Sequence, residues 1–485
     1  MSSTEAIAGL EPAALWKYFA ELSRIPRESK VEQAAGDWVA RVAKDLGLEC
    51  LRDASGNVLV RKPASHGCGH MPSVCLQGHL DMVCVARPGK KHDFAKDPIT
   101  LVRDGDKLMA DGTTLGADNG IAVATMLAVA ADRTLIHGPL ELLFTVDEET
   151  GLTGANTLQP GWLKSPMLIN LDTEDEGELC VGCAGGRDTL AAWTLTTEAT
   201  PAGWVGLDLR VTGLKGGHSG VEIHTGRANA IKHLNRVIAY LDPLKVRVAR
   251  MEGGSKRNAI PAEAEAVVCV RKADLDAATA RVAAIRDVLR AETPNVEPNL
   301  DVIVAPAAKK PTRVWTRALQ KKVQRTLSGL PHGVTKMSAE IPGLVETSTN
   351  VAVLRQGPRE LTLATSQRSM VATEKQDVID TVTAVLELGG AKVTGSDGYP
   401  GWKPNLDSHV LAVARDVYRE HFQKEPAVGA IHAGLECGII GEKYPGMDMV
   451  SLGPTIKGAH SPDEYTDIQT VVRFWHALLT ILARV

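Results

Sequence analysis

Several apolar runs in this chain, each long enough for a buried strand, stop at carboxylates or imidazoles. "LELLFTVDEETG" breaks off into Asp147, Glu148 and Glu149, and "SVCLQGHLDMV" carries His79 and Asp81. "MLINLD" ends at Asp172, and "MDMVSLGPTIKGAH" runs past its apolar part to His460. Continuous apolar runs form strands buried on both faces beneath covering helices. That restricts the fold to an α/β sheet, and open α/β sheets bind ligands outside the carboxyl ends of their strands. Acids gathered at such ends repel one another unless they are protonated or share a bound cation.

The rest of the chain divides by pattern. Amphipathic helices are predicted over 11–25 and 30–46, and "CLRDASGNVLVRK" reads as two strands around a Ser-Gly-Asn turn. "NGIAVATMLAVAAD" reads as a long helix of small apolar residues. From about residue 187 apolar and polar residues alternate, as in "WVGLDLRVTGL" and "EAEAVVCVRK", which is the mark of half-buried strands. Helical patterns are interspersed, and the turn-rich "TGSDGYPGWKPNLDS" marks a return near 395. The expected organisation is an α/β domain in two parts, 1–186 and 395–485, with a mixed, mostly parallel sheet flanked by helices. An α+β domain, 187–394, is inserted between them.

At 485 residues the chain exceeds what one core normally holds. A net charge of -4 and only 4% aromatic residues leave no basis for nucleic-acid binding, and no apolar stretch predicts a membrane span. The first residues lack a basic segment followed by an apolar run, and the eight cysteines are scattered, several in apolar runs. Both features predict a cytoplasmic protein with reduced thiols. The lone C-x-x-C of Cys180 and Cys183 is a weak zinc or redox signal without a second pair. No G-x-S-x-G turn is present to support a nucleophilic serine.

A mixed set of histidines and carboxylates suits zinc, manganese or cobalt better than calcium or magnesium. His79 and Asp81 are two apart and point the same way on an extended strand, so one can bind metal while the other supports it. Glu148 and Glu149 diverge, which suits one ligand and one general base. Asp118 opens the apolar helix. Taken singly, each has an ordinary explanation: Asp118 favours a helix N-terminus, His79 suits a bonded core histidine, and acids after a strand cap the next helix. Asp172 lies in an acidic run and His460 in a glycine-containing loop. The joint pattern at several strand ends is what favours a metal site.

The histidine and aspartate of "GHLD", the aspartate of "GADNG", "EETG", the aspartate of "NLD" and a late histidine resemble the M20 clan of co-catalytic metallopeptidases. "GGHSGVEIHTGRANA", "RNAIPAEAEA", "HAGLECGII" and "GAHSPDE" are similar to its aminoacyl-histidine dipeptidase branch. The resemblance spans nearly the whole chain. It implies a zinc exopeptidase-like catalytic domain with an inserted lid that carries much of a homodimer contact. It implies two divalent ions, zinc with cobalt or manganese as substitutes. One would be held by His79, Asp118 and Asp172, the other by Asp118, Glu149 and His460. Asp81 would orient His79, and Glu148 would be the general base toward a water activated by the two metals. His218 would polarise the scissile carbonyl, in related enzymes from the other subunit, while Asn258 and Arg368 would anchor substrate. The "HAGLECG" loop would line the pocket. The implied activity is hydrolysis of small unblocked dipeptides, including Xaa-His and β-alanyl-His. The rivals are an N-acyl amino acid deacylase or tripeptide exopeptidase on the same scaffold, and a non-catalytic metal-binding protein.

Overall fold

The structure is a computed structural model that describes residues 3–485. The chain forms two units. The first comprises the chain up to Gly182, Trp402–Ala430 and Leu435–Val485, and the second comprises Cys183–Gly401 and Ile431–Gly434.

The first unit is organised by its continuously apolar strands. Leu140–Thr145, Val74–His79, Met167–Asn170 and Asp448–Ser451 lie side by side in that order and run parallel. Every residue of the first three is buried. Each buried Leu, Val or Phe in them contributes about 1.5–3 kcal/mol, and a slip in register would break the polar pairings at the strand ends. Gln77 is paired with Leu143 on one side and Asn170 on the other, so the three strands finish level. The flanking strands Val58–Lys62 and Glu178–Cys183 are antiparallel to their inner neighbours. The sheet is therefore mixed, with a parallel centre.

Helix Ala117–Ala131 packs on Val74–His79, with helix Ala13–Leu22 against it. Its residues from Ala117 to Ala130 are all buried, which its small side chains allow. Gly78 permits the close approach: a Cβ there would lie 2.3 Å from Asn119 Oδ1 and 2.8 Å from the Ala122 methyl. Helices His409–Phe422 and Ile468–Leu482 pack together, the former against Asp448–Ser451.

The second unit is built on an antiparallel nine-stranded sheet. Its alternation is visible in Trp204–Thr212, where Leu207, Leu209 and Val211 are buried and Asp208 and Arg210 are exposed. Helices Ala230–Tyr240, Leu275–Glu292, Arg317–Gly329 and Ala372–Leu388 supply Leu234, Val282, Leu327 and Val382 to the same core. Asn229 caps the first of them by accepting the N–H groups of Ile231 and Lys232. Ile431–Gly434 groups with this unit, where His432 Nε2 lies 2.7 Å from Ser348 Oγ. No helix among the described residues is long and apolar enough to cross a membrane.

Candidate metal centre

His79 is the last residue of its strand and is fully buried. Its Nδ1 lies 3.3 Å from Asp81 Oδ1. Asp81 also accepts the N–H groups of Glu148 at 3.1 Å and Glu149 at 3.2 Å, and the Ser29 hydroxyl at 2.8 Å. One carboxylate thus stands beside the imidazole and ties the end of its strand to the turn that carries Glu148 and Glu149. Asp147, the first of the three acids after Leu140–Thr145, is turned away to local work. It adopts a left-handed conformation with φ 51° and accepts the hydroxyls of Thr150 and Thr153. The turn it makes leaves Glu148 and Glu149 at the start of the short helix Glu148–Gly151.

Asp118 stands between two imidazoles. Its Oδ1 is 3.0 Å from His79 Nε2 and its Oδ2 is 3.1 Å from His460 Nε2. Asp172 Oδ1 lies 3.6 Å from His79 Nε2, and Glu149 Oε2 lies 2.9 Å from His460 Nε2. Ligand atoms of His79, Asp118 and Asp172 lie within 4.8 Å of one another, as do those of Asp118, Glu149 and His460. His79, Glu148 and Glu149 meet the same limit. These nitrogen and oxygen donors, aimed inward from separate elements, fit a borderline divalent ion such as zinc, manganese or cobalt.

The Asp118 loop is held from below by groups to which the sequence assigned no role. Gly116 turns the chain with φ 70°. The Glu464 carboxylate accepts the N–H groups of Leu115, Gly116 and Ala117 at 2.8, 3.0 and 2.7 Å, with that of Asp118 at 3.4 Å. Arg27, buried, donates to the carbonyls of Leu80, Asp81 and Gly116. Asn119 accepts the His79 N–H and donates to Asp172 Oδ1 at 2.5 Å. The Asp118–Asn119 peptide is cis. Asn119 could have been suspected from its place beside Asp118. Arg27 leaves no such trace, and "GAHSPDE" contains Glu464 without showing its partners, which are main-chain groups of a remote segment.

Comparison with known proteins agrees with this geometry. The model of "Peptidase family M20/M25/M40" matches residues 75–484. The chain belongs to that family. The cytosol non-specific dipeptidase of Escherichia coli K12 is 41% identical over 480 residues, which are 99% of each chain. The crystal structure of the aminoacylhistidine dipeptidase from Vibrio alginolyticus superposes with a TM-score of 0.90 at 42% identity, covering 98% of this chain and 97% of that one. A tripeptidase from Staphylococcus aureus, at 17% identity and a TM-score of 0.58, covers 98% of both chains and shares the fold.

In this M20 peptidase the acids of the cluster exceed what its own histidines balance. Burial, reinforced by neighbouring carboxylates, raises Glu148 and Asp172 well above the ordinary carboxylate range. Burial and then Asp118 raise Glu174 to about 7. Asp81 goes the other way: burial opposes its charge, but His79 and the hydrogen-bond donors around it hold it at about 2. Hydrogen bonds donated by its ring to the Asp118 and Glu149 carboxylates raise His460 to about 11. Burial pulls His79 down, but Asp172, Asp118 and Asp81 outweigh it and raise it well above its ordinary value. At neutral pH the metal-free centre therefore stores protons on both imidazoles. A metal must displace them, so affinity falls as pH falls. Zinc titration of the metal-free peptidase by calorimetry is expected to release protons at pH 7, with a heat that varies with the ionisation enthalpy of the buffer. A heat independent of buffer would rule this out.

The remaining expected substrate residues of the peptidase belong to the second unit. His218 Nδ1 accepts the N–H groups of Gly220 and Val221, both at 3.2 Å, which assigns the ring proton to Nε2. Burial, and then Arg368, lower its pKa, so the ring is neutral. Arg368 is buried and donates to the Tyr399 hydroxyl at 2.9 Å; it has no ion-pair partner among the described residues, and its Nε is unbonded there. His432 is lowered to about 3, by burial and next by Arg368. Asn258 is tied to this group through its main chain, whose carbonyl accepts the Ser219 N–H at 2.8 Å, while its side chain is exposed.

Proposed function

We propose that this metal-dependent peptidase is a dipeptidase that uses two divalent ions, zinc in the cell, to hydrolyse small peptides with a free amino terminus, Xaa-His and β-alanyl-His among them. The observation that carries the reading is Asp118, whose two carboxylate oxygens face two different imidazoles, His79 and His460. One carboxylate placed in this way suits a bridge, with Asp172 completing the first set and Glu149 the second. The substrate class rests on the relatives named as dipeptidases, which align over nearly all of this chain.

When bound, the ion pair supplies Lewis acidity, which lowers the pKa of a water and polarises the scissile carbonyl. Asp81 keeps the His79 ring in the orientation that presents Nε2 to the site. Glu148 is the general base: it takes a proton from the attacking water and returns it to the leaving amine. The positive charge of bound ions favours the ionised carboxylate that this task requires. His218, neutral with its proton on Nε2, donates to the developing oxyanion. Arg368, buried without an acidic partner, offers a planar fork to the substrate's terminal carboxylate, and Asn258 is a second anchor.

The deciding experiment compares free and N-acetylated forms of a dipeptide panel, using chelated enzyme refilled with zinc, cobalt or manganese. Expected is hydrolysis of the free dipeptides, loss of turnover on chelation and recovery with metal. Preferential cleavage of the N-acetylated series would identify a deacylase instead, and faster cleavage of tripeptides assayed beside the panel would identify a tripeptidase. The same reading includes a homodimer through the second unit, supported by exposed Val288 and Ile303 on adjoining elements. It also includes a cytoplasmic location, as the name of the E. coli relative has it.

A further inference from the structure

A ladder of buried polar side chains crosses the four parallel strands just before the residues of the metal centre. It starts at Glu436, the first residue of helix Glu436–Lys443. Glu436 Oε2 accepts from Gln77 Nε2 and from Thr145 Oγ1, each at 2.6 Å. Gln77 Oε1 accepts from Asn170 Nδ2 at 2.6 Å, and Asn170 Oδ1 accepts from Ser451 Oγ at 2.5 Å. Thr173 Oγ1 closes the series, 2.8 Å from Ser451 Oγ. Glu436, Gln77, Thr145, Asn170 and Ser451 are each at most 1% exposed. Gln77 precedes His79 by two residues, Thr145 precedes Glu148 by three, and Asn170 precedes Asp172 by two.

Polar side chains so deep in an apolar sheet are costly wherever a partner is missing. A bonded network instead specifies one arrangement of the strands that carry it. Glu436 is the ionisable end of this ladder. Its second oxygen, Oε1, is buried and has no hydrogen-bond partner among the described residues. Its carboxyl interacts electrostatically with His79, Glu148 and Asp172; burial raises its pKa to about 7, while its hydrogen bonds, His79 and any cation bound nearby favour the charged form. None of the candidate metal sets includes it.

We propose that Glu436 is a positioning residue of the metal centre: its bonds to Gln77 and Thr145 fix the strand ends that carry His79 and Glu148, and its negative charge strengthens the hold on cations there. The proposal rests on the reading of this cluster as a metal centre. A carboxylate behind the ligands acts on metal without touching it, as hydrogen-bonded outer carboxylates do in other metal sites.

The test is zinc affinity, measured by titrating the metal-free full-length protein against a chromophoric chelator, alongside the melting temperature of the metal-free protein. Glu436→Gln keeps the length and an oxygen that can accept both bonds, but removes the charge. Expected is a zinc affinity lower by ~10- to 100-fold, a metal-free melting temperature close to wild type, and an unchanged KM at saturating zinc. Wild-type zinc affinity in E436Q overturns the proposal, as does a melting loss without an affinity loss, which would mark Glu436 as merely structural. Thr145→Val removes one bond and keeps the charge, so it decides if E436Q does not fold: weakened zinc binding at an unaltered melting temperature supports the proposal, and unchanged binding overturns it. A wild-type chain that binds no zinc overturns the metal reading itself, and this proposal with it.

Discussion

Glu148→Gln is expected to lower kcat by ~100- to 10,000-fold, the usual contribution of a positioned general base, with metal content at the wild-type level. The expectation follows from how the two adjacent acids are held. Both main-chain N–H groups are bound by Asp81, yet the side chains part: Glu149 reaches His460 at 2.9 Å, and Glu148 is left without a hydrogen bond to either imidazole among the described residues. A carboxylate buried beside cations but not required to hold them is suited to carry a proton. The competing assignment is concrete, because His79, Glu148 and Glu149 also lie close enough to share an ion. Metal analysis of purified E148Q separates the two. Loss of one ion together with activity would make Glu148 a ligand, and turnover within roughly tenfold of wild type would remove it from proton transfer altogether.

The elements that sequence made legible are those written in local pattern. Continuous apolar runs of Val74–His79, Leu140–Thr145 and Met167–Asn170 announce buried parallel strands, and the alternation of Trp204–Thr212 announces a half-buried antiparallel one. His79 and Asp81 were paired on the expectation of a continuous strand; the strand stops at His79, and Asp81 comes within 3.3 Å of its ring from the segment that follows. The separate duties of Asp147, Glu148 and Glu149 were only partly readable. A positive φ at Asp147 redirects the chain, and nothing in "VDEETG" marks which acid takes it. The remote partners of some groups were not readable. Glu464 ends "GAHSPDE" and Glu436 lies in "HAGLECG", but nothing local shows that Glu464 accepts main-chain N–H groups of the Asp118 loop from 346 to 349 residues away, or that Glu436 accepts from the Gln77 side chain across 359. Such pairings arise from tertiary closure, and one strand's pattern carries no record of the element that will cover it. The aminoacyl-histidine dipeptidase resemblance, by contrast, rests on short motifs read together along the chain, since each alone has an ordinary explanation.

Asp118→Asn is expected to be the most damaging single change in the protein. Of the two sets His79–Asp118–Asp172 and Asp118–Glu149–His460, His79→Ala removes a donor from the first and His460→Ala from the second, so each leaves the other intact. Asp118 belongs to both, and its two oxygens address the two imidazoles separately. Asparagine keeps the shape but offers one acceptor and no charge, so both ions are weakened at once. Turnover should fall by ~10,000-fold or more, because water activation and carbonyl polarisation are lost together. The effects of the three changes should not add: in an H460A background, D118N should cost less than it does alone, since one of the ions it helps to hold is already weakened. Binding also leaves a thermal signature. Zinc that binds the folded chain raises its melting temperature in proportion to the logarithm of concentration over the dissociation constant. That rise should be full in wild type, reduced in H79A and H460A, and absent in D118N over the same zinc range. A D118N protein that still gains the full wild-type increment would mean that the two imidazoles and the outer acids hold the ions without a bridge, and the shared carboxylate would lose its place at the centre of the site.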